Sequence, residues 1–159
     1  MKPEDCAVFH RLLLEQPWVA IATQGEEGPY GAMVAVAWDH DKQSFLVYLS
    51  TLSLHTRHLQ RRGACCLVIA QPYLSVTDDP QELARVSIEC EAAPIGRDHD
   101  EFARCRQQYL ARFPVAESRF DLGDFLFFRL TPRRGRLICG FGRASTVTPA
   151  EIAACWSES

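Results

Sequence analysis

The chain predicts a mainly β fold, a barrel of six to seven short antiparallel strands with peripheral helices. Three observations carry that prediction. Between Trp18 and Phe141 most apolar residues recur with a period of two. Turn residues interrupt this stretch at short intervals. Helical spacing is confined to the two ends and to short insertions, so the strands have little but one another to pack against.

A single domain over 1–159 is expected, divided into an N-terminal helix (1–17), a barrel (18–147) and the start of a C-terminal helix (148–159). Pro3-Glu4-Asp5 opens the first helix, in which Cys6, Phe9, Leu13 and Leu14 recur at helical spacing, and Gln16-Pro17 ends it. Strands follow at Trp18–Thr23 and Pro29–Trp38 across the turn Gln24–Gly28. In the second, Tyr30, Ala32, Val34, Val36 and Trp38 share one face and Gly31, Met33, Ala35 and Ala37 the other. Both faces are apolar, so the strand is expected to be covered on both sides: by the barrel interior, and by a helix, a partner subunit or a flat ligand. Ser44–Leu49 is a third strand, Leu52–Arg62 a short helix and Ala64–Ala70 a fourth strand. Gln71–Gln81 reads as a long loop.

Arg85–Glu91 alternates with Val86, Ile88 and Cys90 inward. Asp98–Arg112 reads as helix, and Asp124–Thr131 with Arg136–Phe141 as a last hairpin across Pro132-Arg133-Arg134-Gly135. Phe125–Phe128 reads as barrel core. Thr148-Pro149-Ala150-Glu151 is a capping box with proline at the first helical position.

A formal net charge of −3 gives no reason to expect a nucleic-acid partner. No apolar run approaches the roughly 18–20 residues of a membrane span. The N-terminus turns acidic at once and lacks the apolar core of a signal peptide, so a cytoplasmic location is expected. Seven cysteines with no C-x-x-C spacing read as reduced thiols on apolar faces.

The chemistry concentrates in Phe45–Arg62. There an apolar strand ends, and Ser50, Thr51, Ser53, His55 and Thr56 arrive together, followed by Arg57. A helix start carries orphan N–H groups and the positive end of a dipole, so hydroxyls and an arginine beside it suit a phosphomonoester. On the alternative reading, Ser50 or Thr51 caps the helix and Arg57, Arg61 and Arg62 are a solvated face. His55 and His58 are three apart but lack a third ligand, so no metal is expected there. The basic run Arg133–Arg136 reads as a hairpin tip, where it is either solvated or placed to meet an anionic substrate.

Several motifs in order resemble the pyridoxamine 5′-phosphate oxidase-like FMN-binding split barrels, especially their haem-utilisation branch. They are Ala22-Thr23 with Gly28-Pro29-Tyr30-Gly31-Ala32-Met33-Val34; Ser50-x-x-Ser53-x-His55-Thr56-Arg57-His58-Leu59; Tyr109–Pro114; Gly123-Asp124-Phe125; and Cys139–Ala144. The resemblance implies a dimeric split barrel with FMN at the subunit interface. Ala32, Met33 and Val34 would then lie along the flavin. Ser50, Ser53, His55, Thr56 and Arg57 would hold its phosphate, Gln71 would meet the ring edge, and Phe141 and Arg143 would close over it.

Residues also depart from that pattern. Ala32, Leu54 and His55 stand where pyridoxamine phosphate oxidases resemble one another in basic residues, and their C-terminal Arg-Leu-His-Asp-Arg motif is absent. Vitamin B6 oxidation is therefore not expected. His55 is only partly charged near neutral pH. The resemblance implies an FMN-dependent oxidoreductase acting on a small molecule through borrowed chemistry, since no Ser/His/Asp set or phosphate loop is present. Its alternatives are a haem-binding protein, whose relatives often add a C-terminal domain to the haem site, or a non-catalytic flavin module.

Overall fold

The computed structural model describes residues 2–157. α1 (Pro3–Glu15) begins with proline at its first position and Glu4 and Asp5 in its first turn, and buries Phe9, Leu12 and Leu13. β1 (Trp18–Gln24) and β2 (Pro29–Ala35) form the first hairpin, in register from Trp18↔Ala35 to Gln24↔Pro29. The strand expected over Pro29–Trp38 is in fact two. The Val36 N–H donates to the Pro17 carbonyl (2.9 Å), and β3 (Ala37–Asp39) departs to pair with β4 (Ser44–Ser50).

After α2 (Leu54–Arg61) come β5 (Ala64–Ala70), β6 (Arg85–Ile95), α3 (Phe102–Arg112), a 3₁₀ turn (Pro114–Asp121), β7 (Phe125–Ile138), β8 (Ala144–Val147) and α4 (Pro149–Ser157). The sheet runs β2-β1-β5-β6-β7-β4-β3, with β8 on β7. Its two end strands are joined through Val36, so the chain itself closes the sheet and leaves a seam beside β2. The result is the antiparallel half-barrel with peripheral helices that the period-two pattern anticipates.

The last hairpin is a correction. β7 runs unbroken through Pro132–Gly135, pairing with β4 over its first half, with β6 along its length and with β8 at its end. The register shifts between Glu89 and Cys90: Glu89 faces Arg134 and Cys90 faces Pro132, leaving Arg133 as the extra residue of a bulge. A bulge tolerates the missing proline N–H. Gly135 lies where a side chain would meet the Ser87 carbonyl and the Val147 Cβ, both 3.3 Å from an added Cβ. Residues that read as a turn therefore serve a bulge and a close strand approach. Arg133 and Arg134 are cross-strand partners of Glu91 (3.1 Å) and Glu89 (2.9 Å), not a hairpin tip.

Within the single chain, the strand covered on both faces is β4. Phe45, Val47 and Leu49 enter the barrel core, while Leu46 and Tyr48 lie beneath α3 in a second core with Ile95, Cys105, Tyr109, Phe120 and Phe127. The outer face of β2 is open within one chain, and Met33 is 46% exposed. α4 docks on the barrel through Trp156, stacked on Trp38 with ring centroids 5.4 Å apart. Its capping box forms in both directions: the Thr148 N–H donates to Glu151 Oε2 (2.8 Å) and the Glu151 N–H to Thr148 Oγ1 (3.3 Å). All seven cysteines are free thiols. Among the described residues no helix is long and apolar enough to cross a membrane.

Candidate ligand site

Two features meet at α2: the turn leading into it, and a groove along its flank. The turn is shaped by Ser50 at the end of β4. The Ser50 hydroxyl donates to Asp124 Oδ2 (2.5 Å) and accepts the Leu52 N–H (3.2 Å). The Thr51 N–H donates to the Asp124 carbonyl (2.7 Å), and the Ser53 N–H to that of Ser50 (3.2 Å). Ser53 takes the N-cap position in extended backbone, yet its side chain makes no capping hydrogen bond. Thr56 is wholly buried, with no hydrogen-bond partner for its hydroxyl among the described residues. It therefore faces the interior and not the solvent edge of the turn. His55 is half-buried. Burial, with His58 nearby, pushes its imidazole below the ordinary histidine range, which favours the neutral form. Arg57 is exposed and is the positive charge available to the turn.

The other residues singled out by sequence lie elsewhere. Ala32, Met33 and Val34 alternate across β2: Val34 enters the core, Ala32 is half-buried and Met33 faces outward. Gln71 closes the base of the loop after β5, its N–H donating to the Ala84 carbonyl (2.8 Å) and its Oε1 accepting the Ala84 N–H (3.3 Å). Phe141 sits at the tip of the β7–β8 turn, which needs positive φ at Gly140 (127°) and Gly142 (73°). Arg143 pairs with the buried Asp5 and with Glu4 (3.6 Å). Its guanidinium holds the Asp5 carboxyl below the usual range. Gln71, Phe141 and Arg143 thus occupy the end of the sheet where Ala70, Arg85 and Ile138 pair. α2 lies at the other end of β5, which is roughly 20 Å long.

The groove lies between the β1–β2 turn and α2 and encloses about 610 Å³. Its wall is held by His58, which the sequence left as half of an unconvincing metal pair. His58 Nδ1 is 3.0 Å from Thr23 Oγ1, and its ring stands edge-on to Tyr30 at 5.6 Å. Gly25 is what lets the turn close on it, since an added Cβ would lie 2.6 Å from His58 Nε2. Arg61 reaches Glu26 across the groove (2.5 Å). Arg57 and Arg62 also line it. The hint in the sequence was the Gly25 turn facing a helix rich in histidine and arginine, but only the fold juxtaposes them.

Taken together, the seamed antiparallel barrel, the helix inserted after β4 and the polar turn that opens it define a split barrel with one concentrated polar site. The family model described as pyridoxamine 5′-phosphate oxidase matches residues 7–139, and the chain belongs to that family. It is 32% identical over 123 residues to the chloroplastic heme oxygenase HOZ of Arabidopsis thaliana, a match covering 77% of this chain and 36% of that protein. It is 24% identical over 115 residues to the heme oxygenase HutZ of Vibrio cholerae, covering 70% of this chain and 64% of that one. The chain therefore spans between about a third and two-thirds of these curated relatives. A solved heme binding protein from Mycobacterium smegmatis shares the fold, with a TM-score of 0.79 at 24% identity, over 97% of this chain and 62% of that chain.

Proposed function

We propose that this chain binds haem and serves in haem utilisation. The observation that carries the reading is Asp124. Its carboxylate is bonded to the Ser50 hydroxyl at the turn where a flavin phosphate would have to sit. A fixed anion repels a phosphate dianion, and it occupies one of the hydroxyls that would hold one. Haem carries no phosphate and does not need that turn. Relationship to proteins named as heme oxygenases supports the same choice. Bound haem would supply a redox-active iron, while the chain supplies position, charge and exclusion of water. Adding haemin to the purified protein is expected to give a shifted, saturable Soret band. A band that stays that of free haemin at every ratio would overturn the proposal.

A second reading, an FMN-dependent oxidoreductase acting on a small molecule, is favoured by Ser53. Its hydroxyl makes no capping bond, so it and Arg57 are available at the start of α2. Asp124 then becomes the obstacle. Asp124→Asn is expected to tighten FMN binding about fivefold, the effect of removing a like charge worth roughly 1 kcal/mol, as read by quenching of flavin fluorescence. Unchanged affinity would clear Asp124 of that role.

We further propose that a second copy of the chain packs against this one. The outer face of β1, β2 and β5 carries mostly small and apolar residues, with Trp18 60% and Met33 46% exposed. Sedimentation velocity should find a dimer, and Met33→Lys should shift it toward monomer.

A further inference from the structure

We infer that the groove between the β1–β2 turn and α2 seats the carboxylate edge of a flat, amphipathic dianion, on the guanidinium groups of Arg57 and Arg62. This rests on the haem reading, under which the dianion is haem and the carboxylates its two propionates.

The charge pattern comes first. Arg104, Arg106, Arg129, Arg133, Arg134 and Arg143 are all paired with carboxylates of this chain. Inside the groove Arg61 is likewise satisfied by Glu26. Arg57 and Arg62 make no side-chain hydrogen bond or ion pair among the described residues, and both line the groove. Two guanidinium groups free of protein partners and lining one concave space can receive two anions, and arginine meets carboxylates with paired parallel hydrogen bonds.

Size and polarity agree. About 610 Å³ lies within the usual range for small-molecule sites, roughly 300–1,000 Å³. Tyr30 and Leu54 line the same space and are partly exposed, which gives a flat apolar body something to cover. The wall is also preorganised, because Thr23 and Gly25 fix His58, so little ordering is left for the ligand to impose. Glu27 lines the groove as well and opposes an anion there. It makes the opposite mutation informative.

The test is a Soret titration of wild type, Arg57→Ala/Arg62→Ala, Arg57→Lys/Arg62→Lys and Glu27→Gln, each with haemin and with haemin dimethyl ester, which lacks free carboxylates. The double alanine variant should bind haemin about tenfold more weakly, while binding the ester as wild type does. The double lysine variant should recover part of the loss, and Glu27→Gln should bind haemin more tightly than wild type. Both arginines are exposed, so far-UV circular dichroism and the melting temperature should not move. Haemin binding by the double alanine variant equal to wild type would overturn the groove assignment while leaving the haem reading intact. A wild type with no Soret shift would overturn both.

Discussion

Asp39→Ala is expected to cost about 3–5 kcal/mol of stability, the usual penalty for removing one partner of a buried ion pair. Asp39 lies at the end of β3 and is completely buried. It accepts two hydrogen bonds from Arg104 (2.5 and 3.0 Å) and one from Arg129 (3.4 Å). The N–H groups of Asp41 and Lys42 donate to it at 3.2 and 3.1 Å. Alanine would leave two turn N–H groups without their acceptor and take the buried carboxylate from Arg104 and Arg129, which would keep only the more exposed Glu101 and Asp41. Burial opposes ionisation of Asp39, but Arg104 and the Lys42 N–H outweigh it and hold the carboxyl below its usual range. Glu101, bonded to Arg129 and then to Arg104, is held down to about 2. For depressed carboxylates the stabilisation is complete above the unfolded pKa, near roughly 4. It is lost as pH falls from there toward the folded value. Urea denaturation at pH 7 and pH 3 should therefore show a large loss of stability in wild type and a smaller one in Asp39→Asn. Parallel losses in the two proteins would contradict this account.

Phe127→Ala is expected to cost a similar 3–5 kcal/mol, the range for truncating a buried phenylalanine. Its ring lies 4.6 Å from Tyr48, 5.4 Å from Phe102, 5.6 Å from Tyr109 and 5.9 Å from Phe120, centroid to centroid. It is the hub on which α3 and the 3₁₀ turn rest. Phe128, one residue on, points through the sheet into the barrel core. The two alanine variants should thus unfold with comparable costs from separate cores, and their effects should add to within about 0.5 kcal/mol. A cost below about 1 kcal/mol for Phe127→Ala would mean that α3 does not depend on this ring.

The C-terminal ends of α1, α2 and α3, the strands β1 and β5, the alternation in β6 and the capping box at Thr148 were legible because each rests on neighbours a few residues apart. The starts of α2 and α3, expected at Leu52 and Asp98, fall at Leu54 and Phe102. Where long-range geometry decides, local cues misled. Pro132 and Gly135 look like a turn, but the bulge opposite Glu89 and Cys90 and the nearness of β8 turn them to other uses. An apolar stretch such as Pro29–Trp38 carries no mark of the point at which its strand changes partner. Phe125–Phe128 read as one core and serves two. At the ligand site, Ser50 was visible as a hydroxyl beside a helix start, but not as a hydroxyl already bound to a carboxylate 74 residues away. Arg143 gave no sign that Asp5 would claim it. The groove was hidden for the same reason, since it exists only when the β1–β2 turn folds over α2.

Haem against FMN is settled most directly by competition. Purified wild-type protein, equilibrated with equal and limiting amounts of haemin and FMN and passed through a gel-filtration column, should carry a Soret band with the protein peak while flavin elutes with the small molecules. Flavin absorbance travelling with the protein, and haemin left behind, would contradict the proposed function and return Ser53 and Arg57 to the role of a phosphate cradle.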